Sequence, residues 1–182
     1  GEHNVSNACA ALAAADLLQI PAEKAMEGLS SFTGTDRRFQ RKGSLKGIEI
    51  IDDYAHHPTE IRATLHAAAN TGASSVWCVF QPHTYSRTKA LMDEFAQSLS
   101  LADHVVLADI YAARETDTLG ISSDMLRGKL EALGTDAHYF PSFDEIETYL
   151  LEHCKSGDLL LTMGAGDVCL VGEHLLGTGE SH

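Results

Sequence analysis

Asp52-Asp53-Tyr54-Ala55-His56-His57-Pro58-Thr59-Glu60 follows the apolar residues Ile48, Ile50 and Ile51 and precedes Ile61, Ala63, Thr64, Leu65 and Ala68. That order reads as a buried strand, a polar turn and a helix opening at Pro58. In open α/β sheets, ligands bind where strands deliver polar residues at their carboxyl ends. Two carboxylates, a phenol and two imidazoles at such an end are poor core material and good site material. If one Asp merely capped the helix and one His merely packed, a single polar residue of each kind would suffice, not five. The adjacent His56 and His57 diverge from a strand end, so they do not both face one ion.

Working outward from that stretch, strands and helices alternate along the chain. The pattern predicts strands over 38–42, 48–52, 75–80, 104–108, 137–140 and 159–162. It predicts helices over 58–70, 87–99, 122–133, 143–153 and 167–176. The later strands are short, continuous apolar runs, as expected when helices cover both faces of a parallel sheet. The expected fold is α/β: a Rossmann-like, doubly wound, mostly parallel six-stranded sheet. The first two strands, joined across Gly43-Ser44-Leu45-Lys46-Gly47, suit an antiparallel hairpin. Ahead of this pattern stand an Ala- and Leu-rich helix over 4–19, ended by Ile20-Pro21, and a short helix over 22–29. Ser30 to Thr35 then reads as a hinge, dividing the chain into residues 1–35 and 36–182. The first helix has only the second to pack on, so the N-terminal piece looks like the trailing edge of another domain.

Composition narrows the function. The 182 residues carry 13 basic against 26 acidic side chains, a formal charge of −13. That balance argues against a general binder of nucleic acid or acidic membrane, which needs clustered Lys and Arg. Cys9, Cys78, Cys154 and Cys169 are scattered without a C-x-x-C pair and read as reduced thiols of a cytoplasmic protein. No apolar run approaches the ~20 residues that span a bilayer. No P-loop, nucleophile elbow or H-E-x-x-H motif occurs, and the ten His are not spaced as a metal box.

Other strand ends are built like the first. Gln81-Pro82-His83-Thr84-Tyr85-Ser86-Arg87-Thr88 places a cation in what reads as the first helical turn, with Ser86 or Thr84 as cap. A helix dipole disfavours that cation, so Arg87 suggests an anionic ligand gripped by its guanidinium. An Arg paired to a neighbouring Asp fits the spacing equally well. Asp109-Ile110-Tyr111-Ala112-Ala113-Arg114-Glu115 forms a third polar cluster. Gly164-Ala165-Gly166-Asp167 follows the last strand and suits a tight turn with Asp167 capping the last helix, rather than a phosphate cradle. Asn4 and Asn7 share one helix face, where paired amides can read a base edge or simply cap the helix.

Together, Gly1-x-His3-Asn4-Val5-x-Asn7-Ala8, Arg37-Arg38-Phe39-Gln40, Asp52 to Ile61, Phe80-Gln81-Pro82-His83, Tyr85-x-Arg87-Thr88 and Gly164-Ala165-Gly166-Asp167 resemble the Mur ligases of bacterial peptidoglycan synthesis. These pieces occur in the family's order and run the length of the chain. Members have a UDP-sugar domain, a central ATPase domain with a P-loop, and a C-terminal Rossmann-like domain. The resemblance makes residues 1–35 the last helices of the central domain with its hinge, and residues 36–182 the C-terminal domain.

The implied chemistry is ATP-dependent amide formation that joins L-alanine to UDP-N-acetylmuramate through an acyl phosphate, with Mg²⁺ held mainly by the central domain. The resemblance puts His3, Asn4 and Asn7 at the adenine and Arg38 and Asp53 near the ribose and phosphates. It puts Tyr54, His56, His83 and Arg87 on the amino-acid side, with His56 and Arg87 as the catalytic pair. Position 84 is Thr where many members carry Arg, which shifts anion binding onto Arg87 or His83. The implied partners are the small substrates, ATP and the other two domains, with no nucleic acid or membrane. Competing readings are a ligase that recycles a whole tripeptide onto the same UDP-sugar, a non-catalytic amino-acid-binding module, and a hydrolase using His56 and His83.

Overall fold

The structure, a computed structural model, describes residues 2–32 and 34–178, with side chains given from residue 5 onward. It divides into two compact units, Gly1–Thr35 and Asp36–His182. The first unit holds α1 (Glu2–Leu17) and α2 (Ala22–Ser31). None of its described side chains is buried.

The second unit is a six-stranded sheet in the order β1-β2-β6-β3-β4-β5. Its strands are β1 (Gln40–Leu45), β2 (Ile48–Asp53), β3 (Val76–Phe80), β4 (His104–Leu107), β5 (Asp136–Tyr139) and β6 (Leu159–Met163). β1 pairs antiparallel to β2, and all other pairs are parallel. The helices are α3 (Pro58–Ala69), α4 (Tyr85–Ala90), α5 (Met92–Leu99), α6 (Ser123–Ala132), α7 (Phe143–His153) and α8 (Cys169–Leu176).

Side-chain alternation along each strand builds two cores. Cys78, Phe80, Val105, Leu107, Leu161 and Met163 pack with α3, α5 and α6 on one face. Trp77, Val79, Val106, Leu160 and Ile50 pack with α7 and α8 on the other. The expected α/β sheet with helices on both faces is what forms. Among the described residues, no helix is long and apolar enough to cross a membrane, and all four cysteines are free.

Three local expectations are corrected. The first strand starts at Gln40 rather than Arg38, because residues 36–39 form a turn with Arg37 and Phe39 at φ 56° and 48°. Gln40 closes that turn: its Oε1 accepts from the Arg37 N–H at 3.0 Å and its Nε2 donates to Asp36 at 3.1 Å. The hairpin loop is only Lys46-Gly47, both at positive φ, the geometry that two-residue hairpins favour. The helix expected over 87–99 is two helices, broken at Leu91. The Thr88 hydroxyl donates to the Thr84 carbonyl one turn back at 2.6 Å, a back-bond that bends helices.

Candidate functional site

The turn after β2 is held from inside. Asp53, 5% exposed, accepts from the Ala55 and Phe39 N–H groups, each at 2.8 Å. Burial pushes its carboxyl above the usual range, against those two bonds and the nearby Arg38. The α3 cap is neither aspartate: His57 Nδ1 accepts from the Thr59 N–H at 3.4 Å. The His56 N–H donates to Glu60 at 3.1 Å, while its Nδ1 lies 3.0 Å from the Tyr54 carbonyl. Of this turn's side chains, Tyr54 and His57 are exposed and His56 is half-buried.

The end of β3 meets the end of β4. His83 and Tyr111 form an isolated parallel bridge, flanked by Thr84 N–H to Tyr111 carbonyl at 2.8 Å and Tyr111 N–H to Pro82 carbonyl at 2.9 Å. The pairing carries the two loops outward together. Rings then run in a chain: Tyr54 to His56 at 5.4 Å, His56 to His83 at 6.2 Å, and His83 stacked on Tyr111 at 5.5 Å. The sequence-predicted Tyr54, His56 and His83 are thus brought together. Burial, then the Arg87 charge, then His56 hold the His83 pKa below its usual value, against an opposing pull from Glu115.

Arg87 sits in the six-residue α4, where it counts among the basic residues of the last turn. Arg87 is the third residue of this helix, in its first turn as expected. The helix ends at Ala90, so the same residue also lies in the last turn, where a cation is favourable. Neither Thr84 nor Ser86 caps α4 through its own side chain. Glu115 does so from the segment after β4, accepting from the Ser86 N–H at 3.0 Å and from the Ser86 hydroxyl. Those bonds hold the Glu115 carboxyl below its usual range. Two buried atoms here have no hydrogen-bond partner among the described residues, Arg87 Nη1 and His83 Nδ1. A buried donor or acceptor left alone costs about 1–3 kcal/mol, which a bound ligand removes.

The turn after β6 completes the rim. Gly164 lies at φ 151°, and a Cβ there would stand 2.8 Å from the Gln81 carbonyl. A Cβ on Gly166 would meet Gln81 Oε1 at 2.3 Å and the Tyr111 ring at 3.0 Å. The glycines permit close approach to β3, and their carbonyls are occupied: Arg37 donates to Gly164 at 2.7 Å and Gly166 at 3.0 Å. Asp167 does not cap α8 through its side chain, and Val168 takes the cap position.

Arg38 is exposed and makes no side-chain hydrogen bond among the described residues. His3, Asn4 and Asn7 belong to α1 of the first unit; the side chains of His3 and Asn4 lie outside the described residues, and Asn7 is exposed. Among the described residues, no group of three or more His, Cys, Asp and Glu converges as a metal site. Sequence reading missed Arg37 and gave no role to Tyr111 and Glu115. The third polar strand end was the available signal for the latter two.

Residues 37–166 match the family signature of the Mur ligase, glutamate ligase domain. The chain is 60% identical over 176 residues to a UDP-N-acetylmuramate–L-alanine ligase of Lachnospira eligens, and 59% identical to that of Agathobacter rectalis. Each alignment covers 97% of this chain and 38% of the relative, so the chain spans well under half of those proteins. Its fold resembles the UDP-N-acetylmuramate-alanine ligase of Thermotoga maritima at TM-score 0.79 and 30% identity, covering 97% of this chain and 37% of that one. It resembles a murein peptide ligase of Psychrobacter arcticus at TM-score 0.72 and 28% identity, covering 98% and 37%. By its signature, its relatives and its sheet, this chain is a member of the Mur ligase family.

Proposed function

We propose that this chain is the C-terminal part of an ATP-dependent ligase that joins L-alanine to UDP-N-acetylmuramate. The observation that carries the reading is the pair of buried, unpartnered atoms on His83 and Arg87 beside His56 and Tyr54. An α-amino acid offers both partners such a site lacks, a carboxylate for the guanidinium and an amine for an imidazole nitrogen. The identity of 60% over nearly the whole chain to a relative named as a UDP-N-acetylmuramate–L-alanine ligase supports alanine as the amino acid.

In the reaction, the lactyl carboxylate attacks the γ-phosphorus and ADP leaves, giving an acyl phosphate. The ammonium of alanine releases a proton to solvent, and the free amine attacks the acyl carbon. The tetrahedral intermediate then breaks its C–O bond to phosphate, the second nitrogen proton leaving with the inorganic phosphate. This chain's share is orientation. Arg87 holds the alanine carboxylate so that the amine points at the acyl carbon, a gain of positioning rather than of new bonds. His83, whose pKa burial and then the Arg87 charge hold below its usual value, accepts a hydrogen bond from the amine through Nδ1, and His56 borders the same space. Exposed Arg38 faces the nucleotide, while Asp53 acts mainly by fixing Phe39 and Ala55. Bound Mg²⁺ would supply neutralisation of phosphate charge, and by the family resemblance we assign it to the central ATPase domain. Residues 1–35 are then the last helices of that domain.

The test is phosphate release by the full-length ligase supplied with ATP and UDP-N-acetylmuramate. Release driven by L-alanine is expected. Release driven only by the tripeptide would move the protein to the recycling branch, and none with either would refute the ligase reading.

A further inference from the structure

We infer that Arg37, a residue outside the expected substrate contacts, is the positioning residue that holds the amino-acid subsite in register; the inference rests on the ligase reading above. Its neighbour Arg38 points to solvent, whereas the Arg37 side chain turns inward and uses every edge of its fork. Nε donates to Asp52 at 2.8 Å, Nη1 to the Gly166 carbonyl at 3.0 Å and Nη2 to the Gly164 carbonyl at 2.7 Å. Asp52 is fully buried and also accepts from Thr162 Oγ1 at 2.7 Å. A buried carboxylate needs a fixed cation. The planar guanidinium serves it and two separated carbonyls at once through donors held in a rigid fork, a spread that a compact ammonium does not match.

The same residue reaches the site by two routes. Its carbonyl accepts from the Tyr54 N–H at 2.7 Å, and its guanidinium carbon lies 4.9 Å from the centre of the Tyr54 ring. Through Gly166 it also fixes the turn that packs on Gln81 and Tyr111, and the Tyr111 ring stacks on His83. Tyr54 and His83, on separate strand ends, are therefore referenced to one guanidinium. Arg37 itself sits at φ 56°, a conformation that its own three bonds and the Gln40 clasp over-determine.

The deciding variant is Arg37→Lys, which keeps a cation for Asp52 but cannot bond both glycine carbonyls. In the full-length ligase, the expected result is a KM for L-alanine raised roughly tenfold with the KM for ATP unchanged. A purely structural role would lower the amount of active enzyme and leave both KM values where they were, and that result would overturn the proposal. A second reading uses the 182-residue chain: amide hydrogen exchange at Tyr54 should accelerate in Arg37→Lys while the core amide of Val79 stays protected. Unchanged exchange at Tyr54 would equally overturn it. If the wild-type ligase shows no alanine-dependent phosphate release, the ligase reading fails by itself and the exchange measurement still decides the role of Arg37.

Discussion

Arg87 and Asp136 show how differently two charged residues use their surroundings. Arg87 keeps one buried nitrogen unpartnered, so removing it should affect ligand more than fold. We expect Arg87→Ala to lower kcat/KM for L-alanine by about 100-fold in the full-length ligase, measured as alanine-dependent phosphate release, with the unfolding midpoint nearly unchanged. Asp136 is fully engaged: His104 Nδ1 lies 2.6 Å from one oxygen and His138 Nε2 3.0 Å from the other. Those imidazoles, His104 first, hold its carboxyl below the usual 3.8. A depressed acid pKa adds stability that is present above 3.8 and lost as pH falls through the folded value. The group is half-exposed, so screening keeps the gain under about 1 kcal/mol. Urea unfolding of Asp136→Asn should show that small loss at pH 7 and none at pH 2.

At the scale of elements, the glycine turn after β6 is the joint on which the site's geometry depends. Gly164 lies against backbone, not a flexible side chain: the Gln81 carbonyl would be 2.8 Å from a new Cβ. That peptide is pinned, since the Gln81 N–H donates to the Met163 carbonyl at 3.1 Å. Gly164→Ala should therefore destabilise the chain by about 2–4 kcal/mol, read from the denaturant midpoint. Gly128, in the exposed face of α6 with open space around its Cβ position, is the control: Gly128→Ala should stabilise slightly, by about 0.5–1 kcal/mol. The element that sequence misjudged is the helix after β3. Its apolar pattern runs unbroken from Arg87 to Leu99, and periodicity does not register that Thr88 will bond back to Thr84. The cap on that helix comes from Glu115, too distant in sequence for any local capping rule to find.

For the whole molecule, the buried residues lie in the second unit, packed on both faces of the sheet. The described side chains of residues 5–35 include no buried one, and Leu17, Leu18 and Phe32 are 83%, 74% and 62% exposed. The second unit should fold alone. A chain of residues 36–182 is expected to unfold cooperatively, with a Tm within about 3 °C of the 182-residue protein by circular dichroism. A broad or absent transition would show that the first unit contributes to the core.

What the sequence determined by itself is everything that repeats locally. The alternation of Ile48, Ile50 and Ile51, the apolar run from Val76 to Phe80 and the spacing of Ile61, Leu65 and Ala68 specify strands and helices, because burial of one face or two imposes its own period. The polar residues after each strand marked the candidate site, since a sheet of this kind exposes its strand ends together. What only the tertiary structure decided is which ends become neighbours. The last strand, β6, inserts between β2 and β3, and that crossing brings Gly164 and Gly166 to Arg37, 127 and 129 residues away. No periodicity encodes strand order. It follows from closing two cores over one sheet, and it set Arg37 inward on buried Asp52 while Arg38, one residue on, was left facing solvent.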